Sequence, residues 1–111
     1  MVDGVIERDW RAFRELREVA LERFCDRVLD ELQSICSEPS RTPHERYLAL
    51  CQTLGERNAK VAEAFDNPRR SHMLRQLAVI HSLGLLQPTE WARFTEVTRD
   101  AIVLLVDGLA E

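Results

Sequence analysis

Residues 5–37 read VIERDWRAFRELREVALERFCDRVLDELQSICS and contain neither Gly nor Pro. Turned at ~100° per residue, Ile6, Trp10, Phe13, Leu16, Ala20, Leu21, Phe24, Val28, Leu32 and Ile35 fall within an arc of roughly 160°. The opposite side is largely Arg, Glu and Asp, with Val19 as an exception. This pattern predicts one long amphipathic helix with Asp3 as its N-cap. Opposite charges four residues apart (Glu7 and Arg11, Arg14 and Glu18, Arg27 and Glu31) would support it. At ~1.5 Å per residue the rod approaches ~50 Å, whereas a compact domain of this size has a radius of gyration near ~13 Å. Either the molecule is an elongated bundle or another chain covers part of the stripe.

Downstream, local signals divide the chain cleanly. Pro39 ends the first helix, because it lacks an N–H and clashes with the preceding turn. Thr42 then fits an N-cap, Pro43 the first helical position and Glu45 the reciprocal partner of a capping box. The second helix carries Tyr47, Cys51, Leu54, Val61 and Phe65 at alternating spacings of four and three, with Asn58 filling the missing step. That is the spacing of a coiled-coil-like core seam, in which a single Asn can fix register and pair with its symmetry mate. Asp66-Asn67-Pro68 stops this helix.

A third helix begins near Pro68 or Ser71 and ends at Gly84, with Met73, Leu74, Leu77, Ala78, Val79, Ile80 and Leu83 around most of its circumference. Gln87-Pro88-Thr89-Glu90 opens a short helix bearing Trp91 and Phe94, and Trp91, like Trp10, reads as a core anchor rather than a ligand stacker. Thr95 caps a last helix that runs to about Leu109, and its segment Ala101–Val106 is apolar on nearly every face. Both apolar helices are expected to be enclosed. No stretch reads as strand, and there is no internal repeat.

Composition agrees with this reading. The 111 residues are sized for a single helical domain, residues 1–111, and 45% of them are hydrophobic. The formal net charge of −4 argues mildly against nucleic acid and anionic lipid as partners. Three cysteines, Cys25, Cys36 and Cys51, are an odd set, better suited to a reducing cytoplasm than to a secreted disulfide scaffold. The opening residues go straight into mixed charge, without the apolar stretch of a signal peptide. The longest apolar run, Ala101–Val106, is far short of the ~20 residues a membrane span needs. The expectation is a cytoplasmic chain with no membrane contact.

Chemistry leaves little trace. His44, His72 and His81 stand far apart, and no Cys-x-x-Cys, His-x-x-x-His or Glu-x-x-His pair exists, so no metal half-site is visible. No cysteine lies beside a basic pair or at a helix start, and Cys51 on the seam and Cys25 at the stripe's edge read as small buried hydrophobes. No catalytic residue, metal site or cofactor is therefore assigned. The segment Asn67–Thr89 is distinctive, since it holds Arg69, Arg70 and Arg75, with His72 and His81, and no acid. Arg69 and Arg70 precede Ser71 at a helix start, where free N–H groups favour an anion. The plainer reading pairs these arginines with acids of the first helix or of a symmetry mate, or leaves them solvated. A helix-turn-helix over helices two and three is disfavoured, because the would-be recognition helix offers only Arg75 beyond its first turn.

The sequence thus predicts an all-α, elongated four- to five-helix bundle in which a long N-terminal helix forms a hairpin with helix 2. Functionally it points to a non-enzymatic interaction or regulatory protein that binds a protein partner through amphipathic helix faces and forms a homodimer. Asn58 would be the polar residue of the dimer seam, or else cap a local backbone group or point to solvent if the seam drifts. The alternative is an anion- or small-ligand-binding regulator using Arg69, Arg70, Ser71 and Arg75, with a DNA-binding regulator behind both.

Overall fold

The computed structural model describes residues 6–110, with residues 109 and 110 described for their backbone alone. The elements are α1 (Glu7–Cys36), α2 (Pro43–Phe65), a 3-10 turn over Arg70–His72, α3 (Met73–Ser82), α4 (Pro88–Trp91) and α5 (Glu96–Ala110). No strand occurs among the described residues. The molecule measures 56 × 25 × 24 Å with a radius of gyration of 16.6 Å, so it is the elongated all-α bundle expected.

The opening rod is unbroken. α1 runs 30 residues from an extended Ile6, and the expected cap Asp3 lies outside the described residues. Its apolar stripe faces inward: Phe13, Leu16, Ala20 and Phe24 are buried, with Trp10, Leu21 and Val28 packed against them. Burying a large apolar side chain contributes about 1.5–3 kcal/mol, so this stripe anchors the fold. At the far end, Ser37 donates from Oγ to the Gln33 carbonyl at 2.7 Å, and Pro39 follows two residues later.

α2 starts as its sequence dictates. Glu45 N–H donates to Thr42 Oγ1 at 3.1 Å, and Thr42 N–H donates to Glu45 Oε1 at 2.8 Å. The helix returns antiparallel along α1. The Phe24 and Phe65 rings stand 6.3 Å apart, and Arg57 makes two 2.9 Å bonds to Glu31. Arg46 donates to the Cys36 carbonyl at 2.8 Å, near the tip of the hairpin. Asn67, at φ 53, and Pro68 then turn the chain away from α2.

The side of α2 that meets α1 is not the expected seam. Along most of the helix the half-buried positions are Arg46, Ala49, Leu50, Thr53, Arg57, Lys60 and Val61. Tyr47, Cys51, Leu54 and Asn58 are exposed, and only Phe65 at the seam's end is fully buried. Two effects turn the helix. Its C-terminal end must bring Ala64 and Phe65 into the core, and the bidentate Arg57–Glu31 pair holds the step beside Asn58. The core-seam reading, and with it a buried Cys51, is corrected; Cys25 and Cys36 are exposed as well.

The core gathers at one end, beneath α3. Met73 and Gln76–Ile80 are buried, and Gln76 Nε2 donates to the Asp66 carbonyl at 2.6 Å. α3 ends in a Schellman motif, with Gly84 N–H on the His81 carbonyl at 3.0 Å and Leu85 N–H on the Ile80 carbonyl at 3.4 Å. Arg27 supplies further donors to the carbonyls of Leu83 (2.6 Å) and Gly84 (2.8 Å). At α4 Gln87 N–H donates to Glu90 Oε1 at 2.8 Å, and Glu90 is also gripped by Arg23 at 2.6 and 2.9 Å.

The start of α5 is held from across the molecule. Fully buried Asp9 of α1 accepts from Thr95 N–H (2.8 Å), Thr95 Oγ1 (2.7 Å) and Thr98 Oγ1 (2.6 Å). Thr95, the expected cap, accepts from Thr98 N–H at 3.4 Å, and Asp9 holds that cap residue in place through its N–H and hydroxyl. Within the chain itself α3 is enclosed and α5 is not. Among the described side chains of α5 only Thr98 and Ile102 are fully buried, while Val103, Leu104 and Leu105 are exposed.

Candidate functional site

The largest departure from ordinary burial lies on α5. Its inward side, Thr98, Ile102 and half-buried Val106, closes the core against α3. The outward side shows Val97 at 69% exposure, Leu104 at 73% and Leu105 at 41%. At ~100° per residue these three share an arc with Ala101 and Gly108. Exposed Glu96, Asp100 and Asp107 border that arc on one edge, together with Val103. None of these acids joins an ion pair among the described residues.

A second uncovered face lies on α2. Tyr47 is 62% exposed, Leu48 52% and Leu54 42%, and Cys51 and Asn58 share their side. Asn58 therefore sits on the outward face of the hairpin, away from α1.

The arginine segment is dispersed. Arg69 is exposed, and its Nε donates to Asn67 Oδ1 at 3.1 Å. Arg70 donates to Glu7 at 2.8 Å and lies over the Trp10 ring, 5.3 Å from its centroid. Ser71 is exposed within the 3-10 turn, and Arg75 stands on the exposed edge of α3 with no ion pair among the described residues. Arg70 thus pairs with a first-helix acid, one of the plainer outcomes, while Arg69 and Arg75 join no ion pair among the described residues. The three guanidinium groups are not brought together around one cleft.

Sequence reading passed over another arginine row. Arg8, Arg11, Arg14 and Arg17 recur every third residue of α1. The neighbouring acids are taken elsewhere, Glu7 by Arg70, Glu15 by Arg93 and Glu18 by Arg17. Arg8, Arg11 and Arg14 are left exposed without an ion pair among the described residues. Shallow clefts flank Arg14, one lined by Arg11 and Glu15, the other by Trp10, Arg17, Glu18 and Pro68. Their spacing was the available signal, but interleaved acids masked it. The expected pairs four residues apart do not form, because Arg70 and Arg57 from elsewhere in the fold capture Glu7 and Glu31, and the adjacent Arg17 takes Glu18.

Among the described residues no group of three His, Cys, Asp or Glu side chains could hold a metal ion. His81 stacks on Trp91 with centroids 4.0 Å apart and planes at 14°, and burial holds its pKa below the ordinary histidine value. Such a neutral, stacked ring packs α4 against α3. No helix among the described residues is long and apolar enough to cross a membrane. The chain matches no family model, no curated protein and no solved structure.

Proposed function

We propose that the chain is a non-enzymatic helical interaction protein that binds other protein through the faces its own fold leaves uncovered. The observation that carries this reading is the outward side of α5, with Leu104 at 73% and Val97 at 69% exposure. Contiguous apolar surface of this kind is uncommon on a free-standing protein and is typical of an interaction surface. Its acidic border supplies the polar rim that such surfaces carry.

A second reading, association as a homodimer, is favoured by the face of α2. Tyr47, Cys51, Leu54 and Asn58 repeat at coiled-coil spacing on the exposed side, with Asn58 where a polar residue sets register in parallel pairs. The anion-binding alternative has less support, because Glu7 and Asn67 already engage Arg70 and Arg69. DNA recognition has the least, since the middle of α3 is buried core. Three exposed thiols favour a reducing, cytoplasmic setting.

Two measurements test the proposal. Light scattering at micromolar concentration should give a dimer mass that Leu54→Asp converts to a monomer; a monomeric wild type refutes self-pairing. In parallel, wild type and Leu104→Asp are used as bait in native cell extract. One stoichiometric protein held by the wild type and lost by the variant is expected. Equal recovery from both baits would refute a role for the α5 face.

A further inference from the structure

We infer that the α5 face receives an amphipathic helix edged with lysine or arginine, an inference that rests on the interaction reading of this same face. Val97, Ala101, Leu104, Leu105 and Gly108 fall at i, i+4, i+7, i+8 and i+11, the spacing along which one helix seats against another. Gly108 helps, because a Cβ built there would meet nothing within 4 Å, so a partner backbone has room to approach.

Charge selects the occupant. Glu96, Asp100 and Asp107 form one exposed edge of the stripe, and the single base of α5, half-buried Arg99, lies toward the inward side. An antiparallel second copy on this face would set those acids against their own counterparts, and like charges at that distance repel. An anionic lipid surface would be repelled for the same reason. Nor do the described residues carry the complement elsewhere. Arg8, Arg11 and Arg14 are exposed on α1, but the apolar stripe beside them, Phe13, Leu16 and Ala20, is already buried. A different polypeptide, apolar on one side and cationic along one edge, satisfies both the stripe and its border. Attraction between the two edges would also speed encounter at low salt.

The test uses the full chain and two synthetic helical peptides with identical leucine spacing, one edged with lysine and the other with glutamate, read by fluorescence anisotropy. The lysine peptide should bind about ten-fold tighter at low salt, with the preference shrinking as salt is added. Asp100→Lys with Asp107→Lys should reverse the preference, and Asp100→Asn with Asp107→Asn should erase it. Leu104→Asp should abolish binding of both peptides. Circular dichroism of each variant guards against simple unfolding. Equal binding of the two peptides would overturn the charge inference and leave the interaction reading of α5 standing. Failure of both peptides, with a dimer that Leu104→Asp dissociates, would make a second copy the occupant and overturn the inference. Capture by anionic vesicles through Leu104 would overturn it too. If neither peptide binds and Leu104→Asp changes no property of the chain, inference and interaction reading fall together.

Discussion

Asp9 is the residue on which the packing of α5 turns. Its carboxylate is fully buried and takes three donors, one backbone and two hydroxyl, from Thr95 and Thr98. Hydrogen bonds to a charged acceptor are stronger than neutral ones, and removing the acceptor leaves its donors dry and unpaired. Asp9→Ala should therefore cost about 3 kcal/mol in urea unfolding, and Asp9→Asn about half as much. Glu7→Ala, which removes only the exposed pair with Arg70, should cost less than about 1 kcal/mol. An Asp9→Ala variant within about 0.5 kcal/mol of wild type would show that the three bonds contribute nothing net. This role could not be read from sequence. Asp9 looks like one more acid in the first turn of an amphipathic helix, and its partners lie more than eighty positions away.

At the scale of the element, boundaries were legible wherever a signal acts within a single turn. Thr42, Pro43 and Glu45 start α2, Asn67 and Pro68 end it, and Gln87 with Glu90 opens α4. Gly84 is the sharpest case, because its φ of +68 completes the Schellman motif. Nothing stands within 4 Å of a Cβ placed there, so Gly84→Ala carries a backbone penalty and no clash. A loss of about 1 kcal/mol in thermal or urea unfolding is expected, and an unchanged stability would mean that the turn relaxes freely. Rotation about a helix axis was not legible in the same way. α2 has apolar or small side chains on two sides, and the Arg57–Glu31 pair helps decide which of them faces α1. α5 is apolar almost all round, and full burial was the natural expectation, yet its chain supplies too little surface to cover both sides. The candidate surfaces were hidden for that reason: a seam read as core on α2 and a helix read as enclosed on α5 are the two faces left bare. The arginine segment was legible as composition, but whether Arg69, Arg70 and Arg75 converge depends on the 3-10 turn that separates them.

The whole molecule divides into a packed head and a thin arm. The head holds the buried side chains of α1 from Asp9 to Phe24, the end of α2, and α3 to α5. Beyond it, α2 has no fully buried residue before Ala64, and the hairpin relies on half-buried side chains and the Arg57–Glu31 pair, whose side chains are 37% and 39% exposed. An ion pair this open to solvent is weakened by screening, so the arm has little to resist separate opening. Native-state hydrogen exchange should find the amides of residues 46–58 opening at a free energy about 2 kcal/mol or more below those of α3. A single shared opening energy would show that arm and head unfold as one unit. The same measurement bears on self-pairing, because a partner copy seated on Tyr47, Cys51 and Leu54 would protect this arm by mass action. Arm protection that rises with protein concentration, while that of α3 stays level, is the outcome expected of a dimer along α2. Protection independent of concentration across the micromolar range would leave the arm a free surface and remove α2 from the interface.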